Sequence, residues 1–308
     1  MMKNDAARDV PIIQWYPGHM KKTQRIIEEN LKLVDIVIEL LDARIPASSA
    51  NPMLAEIIQE KPMLIVLNKS DLADANMTKQ WLAYFLGRGI KACSVDSVMG
   101  QGTKQLVKIA EELARPKTDR FVKNGGRPRA ARCMILGIPN VGKSSLINRL
   151  AGAARTKTAN KPGVTRAKQW IKIGSNLDLL DTPGILWPKF EDQTVGIKLA
   201  FTGAISDEIY DRESVVKLLL ETLQHSYADR LKERFKLQEV PNDSVLLLEA
   251  IGRKRGCLVK GGHIDHEKAQ QIVLTEFRSG KLGLVTLDPI PMTQIPIPMT
   301  QMLNESAR

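Results

Sequence analysis

Hydrophobic positions along this chain follow two periods. In "GHMKKTQRIIEENLKL" (18–33), Met20, Ile26, Ile27 and Leu31 recur at helical spacing among charged residues, which predicts an amphipathic helix. "VDIVIELLDAR" (34–44) is a dense apolar run ending in charge, as expected of a parallel strand buried on both faces. "PMLIVLNKSD" (62–71) repeats that form and "KACSVD" (91–96) shortens it, with helical stretches at about 51–60, 76–87 and 102–114. Beyond a basic linker at 115–131 come strand "RCMILG", helix "KSSLINRLAG" and strands "KQWIKI" and "LDLLD". Strand alternating with helix predicts an α/β domain with a mostly parallel sheet covered on both faces.

From about Asp207 the period of two disappears. "DRESVVKLLLETLQHSYADRLKERFKL", "SVLLLEAIGRKRG" and "DHEKAQQIVLTEFRSGKLG" predict three helices, the last stopped by Gly280 and Gly283. The expected organisation is an α/β domain over 1–205, a helical RNA-binding domain over 206–287, and a Pro-rich tail over 288–308 read as disordered.

Composition adds little until charge is located. With 43% hydrophobic and 26% charged residues and no apolar run of membrane length, the chain reads as soluble and globular. "MMKNDAARDV" carries acids and no apolar core, which argues against a secretory or transit signal. Cys93, Cys133 and Cys257 lie far apart in apolar settings, as reduced thiols of a cytoplasmic protein do. The net charge of +11 is more telling: residues 115–172 hold fifteen Lys/Arg and one acid, Asp119, while the remainder holds 30 bases and 33 acids. That block predicts a polyanionic partner, with a solubilising linker as the alternative. Few aromatics interleave with these bases in sequence, which favours phosphate contact over base stacking.

Two motifs carry the chemistry. "GIPNVGKS" (137–144) fits GxxxxGK[ST] between an apolar strand and a helix, the context a phosphate-binding loop requires. Its glycines let backbone N–H groups, including those of Asn140, Val141, Gly142 and Ser145, approach phosphate at a helix N-terminus; Lys143 bridges phosphate oxygens and Ser144 ligates magnesium. "LDLLDTPG" adds Asp181, reaching magnesium through water, and Gly184, whose N–H faces the terminal phosphate. Thr165 in "KPGVTR" supplies a second hydroxyl to magnesium. "VLNKSDL" (66–72) suits guanine: Asp71 accepts from both N1–H and N2–H, whereas adenine would leave it desolvated and unpaired at a cost of about 2 kcal/mol or more. Asn68 would tie this loop to the phosphate loop, the Lys69 stem would pack on the base, and the Ser94 N–H would reach the guanine oxygen.

The order of these parts is unusual. GTP-binding domains ordinarily run from phosphate loop to DxxG to NKxD, whereas here NKSD comes first. Rotating the sequence about the basic linker restores the usual order without altering a contact. With "WYPGHM", "DARIPASSANP", "NKSD", "GIPNVGKSS", "PGVT" and "DTPG", the chain resembles the circularly permuted GTPases of the YlqF/YawG family, closely over residues 14 to about 205. The resemblance implies a circularly permuted P-loop GTPase domain followed by a small all-helical domain. It also implies GTP and Mg2+ as ligands, and GTP hydrolysis coupled to late assembly of the large ribosomal subunit, with rRNA as partner.

The catalytic group is less direct. The position after DxxG, where many GTPases place a glutamine, holds Ile185 and then Leu186, and neither can hold water. In related GTPases an asparagine at the position of Asn140 helps bind K+; a turn-capping role is the alternative. Rotation of the chain puts the helix starting near Gly18 over the carboxyl ends of the strands, so His19 would stand beside the terminal phosphate and position water. The family's proposed catalytic histidine lies in this motif; a helix-capping or RNA-touching histidine is the alternative. The sequence predicts a monomeric, slow GTPase stimulated by the ribosomal subunit. A non-hydrolysing GTP-gated scaffold and a GTPase acting on tRNA or protein remain the competing classes.

Overall fold

The computed structural model describes Ile13, 20–58, 61–152, 169–181, Phe190 and 192–291. They form two compact units, one of residues 16–188 with 288–308 and one of 1–15 with 189–287.

In the first unit the described elements are α1 (Met20–Leu31), β1 (Ile36–Asp42), α2 (Pro46–Ser49), α3 (Pro52–Ile58), β2 (Met63–Asn68), α4 (Ala75–Leu86), β3 (Lys91–Val95), α5 (Thr103–Lys123), β4 (Ala131–Gly137), α6 (Lys143–Ala151), β5 (Gln169–Ile173) and β6 (Leu177–Asp181). The sheet order is β3-β2-β1-β4-β6-β5. All pairings are parallel except that of β5 with β6, so β5 is an antiparallel edge. β1 and β2 are buried at every position, which explains their unbroken apolar runs. On one face Val37, Leu41, Ile65, Leu67 and Leu136 meet Ile27 and Leu31 of α1, Leu54 and Ile58 of α3, and Trp81, Tyr84 and Phe85 of α4. α5 and α6 pack on the sheet with Leu106, Ala110, Leu146 and Ile147 fully buried.

This is the sheet of a P-loop GTPase in permuted order: the chain runs from β3 through α5 into the phosphate-loop strand β4, so the NKSD strand β2 comes before β4. The parallel strands present their carboxyl ends, Asp42, Asn68, Val95, Gly137 and Asp181, along one rim. Ligands of open α/β sheets bind at such a rim.

The expected basic linker at 115–131 is helical over its first half, since α5 continues to Lys123 with Pro116 inside it. Pro116 leaves only the C=O of Glu112, an exposed residue, without its helical donor. Thr118 Oγ1 donates to the C=O of Arg115 at 3.0 Å in the same turn.

The second unit contains α7 (Gln193–Thr202), α8 (Arg212–Phe235), α9 (Ser244–Lys254) and α10 (His266–Arg278). It begins at Lys189 rather than near 206, because α7 belongs with the helices: Phe201 meets Phe277 edge-on, and Arg278 donates to the carbonyls of Phe201 and Ala200. Each of the three later helices starts on an aspartate, Asp211, Asp243 or Asp265, whose carboxylate accepts first-turn N–H groups. No helix among the described residues is long and apolar enough to cross a membrane.

The expected free tail is corrected at its start. Asp288 is 2% exposed and its carboxylate accepts from Ser48 N–H at 2.7 Å and Ser48 Oγ at 2.9 Å, while Ile290 packs on the sheet core. A buried carboxylate with two donors is an anchor. Residues 292–308 lie outside the described residues.

Candidate nucleotide site

The phosphate loop grows directly out of β4. A Cβ on Gly137 would lie 2.7 Å from the Leu40 carbonyl oxygen of the neighbouring strand, so only glycine permits that approach. Asn140 and Gly142 adopt left-handed φ of 57° and 102°, curling the backbone into the first turn of α6. Lys143 opens that helix, and its ammonium donates to the carbonyls of Gly137 and Ile138, each at 3.0 Å. The amine is thus held inside the loop's curl, where phosphate oxygens would be received. Val141 is buried, and Ser144 and Ser145 are half-buried in the helix's first turn.

NKSD, although earlier in the chain, reaches this loop. Asn68 ends β2 and its Nδ2 donates to the Val141 carbonyl at 2.7 Å. Gly142 makes room: a Cβ there would stand 2.3 Å from that same nitrogen. Ser97 Oγ donates to Asn68 Oδ1 at 2.5 Å, which fixes the orientation of the amide. Three loops after β2, β3 and β4 are therefore joined through one buried side chain. Arg149 of α6 adds a third bond by donating to the Ser97 carbonyl at 3.5 Å.

Ser94 lies one row inside β3, opposite Leu67, while the serine that reaches the Asn68 amide is Ser97. The signal was the second serine of "SVDS", the first polar residue past the strand that can face Asn68. Asp96 shapes the loop that follows, accepting from the N–H groups of Val98 at 2.7 Å and Met99 at 2.9 Å.

Asp71 is exposed at the rim, and its carboxyl is raised above the ordinary range by partial burial and by the nearby charge of Asp96. A carboxylate under that repulsion gains from two N–H donors, which is what a guanine edge offers. Lys69 takes a left-handed φ of 58° and its Nζ lies 3.1 Å from Asp42 Oδ2. Burial pulls its ammonium below the ordinary lysine range, and Asp42 opposes that shift.

Asp181 closes β6 beside β4, so its backbone stands on the rim near the loop; its side chain lies outside the described residues. His19, Thr165, Gly184, Ile185 and Leu186 also lie outside them. The hydroxyl of Ser144 stands in the first turn of α6, an oxygen donor of the kind a hard divalent cation takes.

The bases of the 115–172 block divide into distinct environments. Arg129 donates to Asp35 at 2.7 and 2.9 Å and Lys117 lies 3.5 Å from the same carboxylate, so these two serve the fold in part. Arg115, Arg120, Lys123, Arg127, Arg132 and Lys172 are exposed. The fold brings aromatics to them that the linear sequence keeps apart: Arg132 sits 5.4 Å from the Trp170 ring centroid and Arg129 sits 5.2 Å from that of Phe121. In the helical unit Arg234 and Arg255 both pair with Glu276, leaving Lys232, Lys236, Arg253 and Lys254 exposed.

Comparison with known proteins agrees with this geometry. The family model described as "50S ribosome-binding GTPase" matches residues 132–248, from the start of the phosphate-loop strand onward. The chain is 54% identical over 277 residues to ribosome biogenesis GTPase A of Bacillus cereus, covering 90% of this chain and 94% of that protein. It is 33% identical over 297 residues to mitochondrial ribosome-associated GTPase 1 of Bos taurus, covering 90% and 89%. Among solved structures, GNP-bound YlqF from T. maritima superposes with a TM-score of 0.59 at 28% identity, covering 87% of this chain and 98% of that one. A GDP-bound structure of the same YlqF gives 0.60 over 86% and 98%.

Proposed function

Since the chain belongs to the ribosome biogenesis GTPase A family, we propose that it binds GTP with magnesium on the rim of its permuted sheet and hydrolyses it while engaged with a precursor of the large ribosomal subunit. The observation that carries the reading is the 2.7 Å bond from Asn68 to Val141, which joins an early NKSD to a late phosphate loop in one site. Asp71 reads the guanine N1–H and N2–H, the Lys69 stem covers the base, and the Ser94 N–H faces the guanine oxygen. Lys143 and the N–H groups of Asn140 to Ser145 and Gly184 hold the phosphates, while Ser144 and Thr165, with Asp181 through water, would hold magnesium. Bound there, magnesium would neutralise charge on the phosphate oxygens. With Ile185 after DxxG, the attacking water is positioned by His19, and Asn140 provides a K+ site that supplements the charge of Lys143.

The partner is rRNA in the cytoplasm. Support comes from the exposed Arg115, Arg120, Lys123, Arg127, Arg132 and Lys172 on the sheet unit and from Arg253, Lys254, Lys232 and Lys236 on the helical unit. Clustered bases with few acids favour phosphate contact, and Trp170 beside Arg132 adds a surface on which a base can stack. The segment after DxxG leads into the helical unit, so a change at the terminal phosphate is transmitted to RNA binding.

The test is GTP turnover by the full chain alone and with purified large ribosomal subunit precursors, beside a pull-down with a GTP analogue and with GDP at moderate salt. Stimulated turnover and analogue-dependent capture are expected. Capture of tRNA or a non-ribosomal protein in place of subunits would reassign the partner, and absence of turnover in every condition would make the chain a nucleotide-gated scaffold.

A further inference from the structure

The "DARIPASSANP" loop does more than connect β1 to α3. Asp42, the last residue of β1, is 1% exposed and accepts four hydrogen bonds or ion contacts. Arg44 gives Nε at 2.9 Å, Nη2 at 2.7 Å and its N–H at 3.1 Å, and Lys69 gives Nζ at 3.1 Å. Burial alone would raise this carboxyl, but Arg44 and Lys69 together hold it well below the usual carboxylate range. Asp42 pairs in register with Asn68, so the carboxylate reaches across one strand to the residue that follows Asn68. Lys69 is in the left-handed region, where a side-chain-bearing residue stays only if its surroundings hold it.

The other end of the loop is gripped as firmly. The Asp42 N–H donates to Ser49 Oγ at 3.0 Å, and Ser49 ends the single turn of α2. Ser48 in the same turn gives both its N–H and its hydroxyl to Asp288. The Asp288 carbonyl in turn accepts from Trp81 Nε1 at 3.3 Å. Asp288 directly follows Leu287, the last residue of the helical unit. Two residues before Asp288, Thr286 is clasped by the Tyr227 hydroxyl, which accepts from its N–H at 3.0 Å and donates to its C=O at 2.9 Å. A strap of three residues, Thr286 to Asp288, thus runs between two clasps.

We infer that Asp42 and Asp288 are positioning residues of the guanine site: the strap leaving the helical unit sets α2, α2 sets Asp42, and Asp42 sets Lys69 beneath the base. This rests on the GTP reading above. Buried hydrogen-bonded chains of this kind move as a unit, since each leaves an unpaired group if one member shifts.

The experiment measures dissociation and affinity of fluorescently labelled GDP on the full chain, for Asp288→Ala and Ser48→Ala, each in the wild-type and Lys69→Ala backgrounds, with thermal midpoints on the same samples. Either substitution on its own should weaken GDP by about fivefold, mostly through faster release, and the two together should not add. In the Lys69→Ala background, with no amine left to place, both should have no further effect on affinity. Equal weakening in the two backgrounds would make the strap a merely structural anchor and overturn the inference, as would unchanged GDP affinity in a folded variant. Should Asp288→Ala lower the thermal midpoint below the assay temperature, Ser48→Ala, which removes only the hydroxyl bond, decides alone. Failure of the unaltered chain to bind GDP would instead refute the GTP reading itself.

Discussion

Glu39→Gln tests the electrostatics of the sheet that carries the site. Glu39 lies in the middle of the central strand β1, 6% exposed, with Ile65 and Leu136 as register partners on either side. Its Oε1 accepts the Asn51 N–H at 3.2 Å, at the end of the same loop that holds Ser48 and Ser49. Burial pushes the carboxyl up to about 7 from 4.5, with the Asn51 N–H opposing the shift. The folded state therefore keeps a proton that the unfolded chain releases near pH 4.5. Between pH 4.5 and 7 the folded protein binds more protons than the unfolded one, so stability must fall as pH rises through this window and level off above it. A rise from 4.5 to about 7 corresponds to a total on the order of 3 kcal/mol. Glutamine retains the carbonyl acceptor and does not titrate. Relative to the unaltered protein, the Gln variant should gain about 2 to 3 kcal/mol between pH 5 and pH 8, whatever constant cost its amide adds. Urea unfolding of both proteins at pH 5, 6, 7 and 8 reads this directly. A difference that does not change with pH would mean that burial leaves the Glu39 carboxyl where it stands in the unfolded chain, and would refute the reasoning.

Lys143→Ala removes the amine held by the Gly137 and Ile138 carbonyls and should weaken GDP and GTP by roughly 10- to 100-fold in a fluorescence titration; unchanged affinity would place the phosphates elsewhere. His19→Ala should lower GTP turnover by about a hundredfold or more, most visibly with ribosomal subunits present, while leaving GTP affinity near normal. Turnover equal to that of the unaltered chain would remove His19 from the mechanism. Charge reversal of the exposed Arg120, Lys123 and Arg127 should weaken subunit binding and flatten its salt dependence by about 0.7 to 0.9 per lost phosphate contact. An unaltered salt slope would assign the contact to other bases.

The regular elements were legible because the physics is local. β1, β2 and β4 are buried on both faces and so read as solid apolar runs, and the amphipathic spacing of Ile27 and Leu31 marked α1. The phosphate loop and NKSD were legible because phosphate and guanine each demand particular residues at fixed spacing. What the sequence hid depends on contacts between distant positions. Nothing near Pro116 announces that α5 continues to Lys123, and proline ordinarily argues the reverse. α7 looked like an extension of the α/β domain because its partner Phe277 lies 76 positions from Phe201 in the chain. Asp288 sat in a Pro-rich stretch whose composition suggests disorder, and only the distant Ser48 reveals it as an anchor. That Ser97 reaches the Asn68 amide was not legible, because which residue past β3 faces Asn68 depends on strand register.

The central claim is that the early NKSD reads the base for the late phosphate loop, and Asp71→Asn tests it most directly. Guanine offers N1–H and N2–H to a carboxylate, whereas xanthine keeps the N1–H and carries a carbonyl in place of the amino group. An asparagine at 71 can accept the N1–H and donate to that carbonyl, but it would confront the guanine amino group with a second donor. Affinities for GDP and XDP should therefore exchange rank, each shifting by roughly 10- to 100-fold in opposite directions. An Asp71→Asn variant that still prefers GDP over XDP would contradict the account.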